Sequence, residues 1–117
     1  MIEETTSYKV MEIIEGERPF MVFFKSEFCE YCSMLKPVMD TLEKTYGATL
    51  DFYTLDVNEE KAAADVFEEY VEGVPSVILF HKGNFVVVPE PENPDPFMWY
   101  RLNYLEDFIN QFFKEKE

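Results

Sequence analysis

Five consecutive apolar residues, Phe20-Met21-Val22-Phe23-Phe24, constrain this chain more than any other feature. Side chains along a strand alternate between faces, so an unbroken apolar run is stable only where both faces are covered. Such a strand belongs inside a parallel sheet between helices. Pro19 leads into the run and Lys25-Ser26-Glu27 ends it. The flanking sequence alternates as that arrangement requires. Ile2 to Thr5 reads as a short edge strand, and Thr6 or Ser7 caps a helix with Val10, Ile13 and Ile14 inward, stopped by Gly16. After the apolar run a helix continues to Thr45, with Leu35, Val38, Met39 and Leu42 as its stripe. Pro37 removes one of its backbone hydrogen bonds and should kink it, and Gly47 closes it.

Leu50 to Val57 is the next strand, and Asn58 caps a helix carrying Ala63, Val66, Phe67, Tyr70 and Val71, ended by Gly73. Ser76 to His81 and Phe85 to Val88 form two strands joined by Lys82-Gly83-Asn84, a hairpin signal. Asn103 with Glu106 suggests a capping box before the strongest helical stripe in the chain, Leu105, Phe108, Ile109, Phe112 and Phe113.

A length of 117 residues supports one domain spanning 1–117, and no linker or repeat divides it. The 47% apolar share and the 12 Phe, 7 Tyr and 1 Trp supply enough core to exclude disorder despite a net charge of −14. That charge excludes a nucleic-acid binder, which needs cations for phosphates, and an anionic-membrane binder for the same reason. Being spread along the chain, the acidic excess reads as a solubilising surface. No run reaches the roughly 18 apolar residues of a membrane helix, and Met1-Ile2-Glu3-Glu4 lacks the features of a secretory signal, so a cytoplasmic protein is expected.

The two cysteines, Cys29 and Cys32, form a single CxxC. In a reducing compartment such a pair is redox-active or metal-binding. Its location matters more than the motif. The pair sits where the buried strand turns into a helix, beside unpaired N–H groups and the positive end of the helix dipole, which favour thiolate over thiol. One helical turn brings Cys32 within disulfide reach of Cys29, leaving the first sulfur near the surface and the second beneath it. Thiol exchange needs that division between an exposed attacker and a sheltered resolver.

Taken together, the arrangement resembles the thioredoxin family. The matching residues are Phe28-Cys29-Glu30-Tyr31-Cys32, Lys36-Pro37, Leu55-Asp56-Val57, and Val74-Pro75 before the strand Ser76-Val77-Ile78-Leu79-Phe80. The resemblance covers residues 2–88 and 102–114. It implies an α/β fold, a central mixed sheet of four to five strands with helices on both faces. It also implies a dithiol–disulfide oxidoreductase of protein disulfides that needs no bound cofactor or metal. A thioredoxin-reductase-type enzyme would supply its electrons, and the protein would act as a monomer. Cys29 corresponds to the nucleophile and Cys32 to the resolving thiol. Pro75 corresponds to the family's cis-proline, with the Val74 backbone pairing to an extended substrate segment and Phe28 beside the first sulfur. The plainer reading of Pro75 is a trans proline opening a strand.

The chain departs from the family pattern in three places. The usual buried Asp before the CxxC is Phe23, the usual Trp is Lys25, and the usual Gly-Pro linker is Glu30-Tyr31. Lys25 near the thiols would favour thiolate and Glu30 would oppose it, so Lys25, Glu30 and Tyr31 are the expected redox-tuning residues. Without the acid, water, Lys25 or Glu27 must accept the proton of Cys32. These departures also leave a second class open, a thioredoxin-fold adaptor without significant turnover.

Pro89 to Arg101 holds four of the seven prolines and the only tryptophan, which excludes helix and ladder pairing and marks an inserted loop. Phe97, Met98, Trp99 and Tyr100 then either wall a substrate groove, with Trp99 as anchor, or simply cover the sheet end. His81, the only histidine, reads as structural, Asp56 as a turn former, and Met34, Met39 and Met98 as core or loop filler.

Overall fold

A strand covered on both faces also needs partners on both edges, and Phe20–Lys25 has them. The computed structural model describes residues 3–4, 7–25, 35–56, 76–89 and 100–116. In chain order these form β1 (Glu3–Glu4), α1 (Ser7–Ile13), β2 (Phe20–Lys25), α2 (Leu35–Tyr46), β3 (Asp51–Asp56), β4 (Ser76–His81), β5 (Asn84–Val87) and α3 (Leu102–Lys116). The five strands make one sheet in the order β1-β3-β2-β4-β5. β3 runs parallel to β1 and β2, whereas β4 is antiparallel to β2 and β5, so the sheet is mixed as expected. The helix expected over residues 58–72 lies outside the described residues.

The apolar run is explained by position. β2 is paired on one edge from Phe20↔Asp51 to Lys25↔Asp56 and on the other from Phe20↔Phe80 to Phe24↔Ser76. Its odd-numbered residues Met21 and Phe23 join Leu35, Met39, Leu42, Phe52, Val77, Leu79, Leu105 and Ile109 in one buried cluster under α2 and α3. Its even-numbered residues Phe20, Val22 and Phe24 join Val10, Leu55, Ile78 and Phe80 in a second cluster under α1. Helices therefore cover both faces. Stacked rings contribute on the α1 side, where Phe20 lies 4.8 Å from Phe80 and nearly parallel to it, with Tyr53 edge-on at 5.9 Å.

Local signals fix the element ends. Lys82 and Gly83 have φ of 51° and 82°, the two left-handed residues of a type I′ hairpin turn, so β5 starts at Asn84, one residue before the expected Phe85. The Gly83 N–H donates to the Ile14 carbonyl at 2.7 Å, tying the hairpin to the end of α1. At Gly47 any Cβ would run into the Glu43 carbonyl oxygen, so only glycine fits there. Pro37 is third in the described part of α2; Ser33, whose carbonyl its missing N–H would address, lies outside the described residues, as does any kink there. The capping box does not form at Asn103. The first bond of α3 runs from the Leu105 N–H to the Arg101 carbonyl, which makes Arg101 the cap and puts Asn103 inside the first turn.

Arg18 clamps the sheet edge at which β2 and β3 begin. Its Nη2 and Nη1 donate to the carbonyls of Gly47 (2.7 Å) and Ala48 (3.1 Å), and its Nε lies 2.8 Å from the Asp51 carboxylate. Both side chains are well exposed, so Arg18→Ala is expected to destabilise by about 1 kcal/mol, measured as a lowered urea midpoint, well short of the loss from a buried ion pair. An unchanged midpoint would show that the clamp contributes nothing.

Candidate active site

The end of β2, the end of β3 and the start of β4 meet at one edge of the sheet: Lys25 is in register with Asp56, and Phe24 with Ser76. The chain leaves this edge at Lys25 and re-enters the structure at Leu35, the first described residue of α2; it leaves again at Asp56 and returns at Ser76. The first excursion carries Phe28, Cys29, Glu30, Tyr31 and Cys32, and the second carries Val74 and Pro75. These seven residues, and Trp99, lie outside the described residues. Lys25 is the one expected site residue within them, half-buried at the last position of β2.

Inward from Lys25, strand alternation puts Phe23 on the same face. Phe23 is 1% exposed, in register with Thr54 on one side and Val77 on the other, and packed in the cluster beneath α2. The place where the resemblance leads one to look for a buried acid is thus filled by a ring whose register partners, Thr54 and Val77, carry no charge.

Asp56 is buried, 7% exposed. It shares the parity of Phe52, which packs under α2, while Leu55 packs on the α1 side. Asp56 therefore stands on the α2 face next to Lys25 in register.

The proline-rich loop also starts and ends at this edge. The Val88 N–H donates to the Val77 carbonyl at 2.9 Å, one residue from the start of β4. The Tyr104 hydroxyl donates to the Pro89 carbonyl at 2.6 Å, and burial pushes the Tyr104 phenol above its ordinary pKa, so the donor stays protonated through neutral pH. Of the two readings for Tyr100, the structure supports the covering one. Tyr100 is 1% exposed, with φ of 48°, and belongs to the core cluster with Val88 and Leu105 rather than to any groove wall. Its burial anchors the returning end of the loop beside the site, while Phe97, Met98 and Trp99 lie outside the described residues. His81 sits at the opposite end of β4, with its ring edge-on to Phe112 at 5.8 Å, in keeping with a structural part.

The sequence matches the family model "Thioredoxin" over residues 2–95, a match that ends inside the proline-rich loop. A thioredoxin of Acetoanaerobium sticklandii is 35% identical over 72 residues, covering 62% of this chain and 67% of that protein. A thioredoxin-like protein of Synechocystis sp. is 30% identical over 107 residues, covering 91% of this chain and 96% of the relative. Among solved structures, mitochondrial thioredoxin 3 of Saccharomyces cerevisiae in its oxidised form matches 94% of both chains with a TM-score of 0.74 and 20% identity, a likeness of fold.

Proposed function

The chain belongs to the thioredoxin family, and from that premise we propose that it reduces protein disulfides with the Cys29–Cys32 dithiol. The family is one of thiol–disulfide oxidoreductases. In the proposed reaction the Cys29 thiolate attacks one sulfur of a substrate disulfide, and the other substrate sulfur leaves as thiolate. The Cys32 thiolate then attacks Sγ of Cys29, closing the intramolecular disulfide and releasing the reduced substrate. The observation that carries this reading is the common edge: the segments bearing the two cysteines and Val74-Pro75 are attached to neighbouring strand ends there. In this reading the Val74 backbone and Pro75 receive an extended substrate segment, with Phe28 and Trp99 as flanking contacts. Lys25, Glu30 and Tyr31 tune the thiols.

No bound cofactor takes part. A thioredoxin-reductase-type donor returns the disulfide to the dithiol, and the protein works in the cytoplasm as a single-domain monomer. The test is insulin-disulfide reduction driven by dithiothreitol. Wild type is expected to precipitate insulin well ahead of the uncatalysed control. In the same assay Trp99→Ala is expected to raise KM and leave kcat unchanged, as a recognition contact should.

One observation favours a second reading, that of an adaptor with this fold: Phe23 fills the position of the family's buried acid. That reading predicts wild type no faster than the control and no accessible thiol of low pKa.

A further inference from the structure

Sheets guard their edges with short strands, charges or prolines, and the two edges of this sheet are not guarded alike. β1, at one end of the strand order, is two residues long, and both are glutamates. β5, at the other end, is Asn84-Phe85-Val86-Val87, with no charge and no proline to turn another strand away. Phe85 and Val86 are also the large apolar side chains that stand exposed among the described residues, at 38% and 44%. We propose that the outer edge of β5 binds an extended segment of a partner protein by strand addition. That segment alternates apolar side chains and carries Lys or Arg at the end beside the hairpin.

The exposed side chains point to the form of the partner. Phe85 is in register with Phe80 on the α1 face, and the two rings lie 6.2 Å apart. Val86 is in register with Leu79, on the face covered by α2 and α3. The two therefore stand on opposite faces of one edge strand. A helix or a flat surface laid on either face covers only one of them. A strand alongside β5, with side chains alternating as those of β5 do, covers both.

The backbone is turned the right way for such a neighbour. In a hairpin closed by Lys82 and Gly83 alone, His81 and Asn84 form a hydrogen-bonded pair, and every second pair after it does the same. The bond from the Val88 N–H to the Val77 carbonyl keeps that alternation, so residues 84, 86 and 88 address β4. Val87 accordingly turns its N–H and C=O away from β4. A strand about 4.8 Å further out can exchange both bonds with it.

Charge selects the ends of the incoming segment. The Gly83 N–H bond to the Ile14 carbonyl seats the hairpin on the end of α1, where Glu12, Glu15 and Glu17 are exposed. A Cβ on Gly83 would lie 3.8 Å from Cγ of Glu15, so that side chain borders the start of β5. Arg18 is committed to Asp51 and to the Gly47 and Ala48 carbonyls, and the ring of His81 is on the α3 face against Phe112. Among the described residues of these two segments, 12–18 and 81–84, three carboxylates then face the ammonium of Lys82. Cations at one end of an added strand meet this corner with complementary charge. A second copy of this chain fits poorly, because each copy carries a net charge of −14 and the two repel.

The experiment uses two blocked synthetic peptides, Lys-Lys-Thr-Val-Ile-Val-Thr and the same sequence with glutamates for the lysines. Each is titrated into the ¹⁵N-labelled full chain and followed by amide chemical shifts. The lysine peptide is expected to bind saturably, to shift the amides of residues 83–88, and to bind about tenfold more tightly than the glutamate peptide at low salt. Its affinity should fall by about threefold or more between about 0.02 M and about 0.2 M salt. Val87→Pro removes the outward N–H and spares the bonds to β4, so it should weaken binding by about tenfold or more. Val86→Ser, which trims exposed apolar surface alone, should weaken it by about threefold. Protection of the Val88 amide from exchange shows whether β4 and β5 stay paired in each variant.

Binding is read without turnover and stands apart from the dithiol reading. No saturable binding of the lysine peptide overturns the proposal, as do shifts confined to another part of the sheet or equal affinity for the two peptides. Undiminished binding by Val86→Ser and by a folded Val87→Pro overturns it too. If Val87→Pro loses the Val88 protection, Val86→Ser decides alone. Sedimentation of the wild type without peptide is expected to show a monomer. A dimer that Val86→Ser dissociates would give the edge to a second copy and overturn the proposal.

Discussion

Mixed with a disulfide-bonded protein, the Cys32→Ser variant is expected to accumulate as a covalent complex through Cys29, whereas Cys29→Ser forms none, and neither turns over. The asymmetry follows from chain order. In the proposed reaction Cys29, first after the β2 end in the sequence, is the nucleophile, and Cys32, three residues on, is the resolving thiol. Removing the resolving thiol leaves the first bond formation intact and blocks the second. Removing the nucleophile stops the reaction before it begins. Turnover should fall by about 10³-fold or more in each variant, because residues acting as a unit are not partially dispensable. Complexes visible on a non-reducing gel and released by dithiothreitol check the first half, and insulin turnover the second. Equal trapping by both variants would contradict the assignment of roles, and wild-type turnover by Cys29→Ser would contradict the site itself.

The second large effect is on stability. Phe23→Asp, which writes the family's acid back into the chain, is expected to unfold the protein or destabilise it by about 4 kcal/mol or more. Phe23 is 1% exposed and packs with Met21, Leu35, Phe52 and Val77. Losing a buried ring costs about 3–5 kcal/mol through transfer and cavity, and an aspartate there also needs a partner. Its register neighbours are Thr54 and Val77, neither of them cationic. Lys25 is two residues on along the same strand and on the same face, half-buried at the end of β2. Against a total stability of about 5–15 kcal/mol for a domain, such a loss is decisive. Phe23→Leu, nearer in volume, should stay within about 1.5 kcal/mol. Urea unfolding of both variants separates the outcomes. A Phe23→Asp protein as stable as wild type and faster in turnover would mean that the pocket still accommodates the acid.

Much of the fold was legible because the signals are local. The run Phe20 to Phe24 announced a doubly covered strand, the Leu35, Val38, Met39 and Leu42 stripe announced α2, and Lys82-Gly83 announced the hairpin. What local period cannot carry is who lies next to whom. The order β1-β3-β2-β4-β5 and the register that aligns Lys25 with Asp56 depend on long-range pairing. The sequence leaves Tyr100 between two readings because prolines and an adjacent tryptophan define its neighbourhood, whereas its burial is in a core cluster drawn from several segments, Val88 and Leu105 among its members. Asn103 misled by two residues, since the first backbone bond of α3 is accepted by the Arg101 carbonyl. The cysteines are the reverse case. Their motif is written in the sequence, and the structure contributes the strand end from which their segment departs.

The central claim is a reversible dithiol–disulfide couple between Cys29 and Cys32, and a redox titration tests it most directly. Wild type is equilibrated in glutathione buffers of graded potential, quenched with an alkylating reagent and weighed. A single two-electron transition between doubly alkylated and unalkylated protein is expected. With Glu30-Tyr31 in place of Gly-Pro between the sulfurs, its midpoint should lie above the thioredoxin value of about −270 mV. A midpoint at or below that value would contradict the role given to Glu30 and Tyr31, and two cysteines alkylated at every potential would contradict the couple itself.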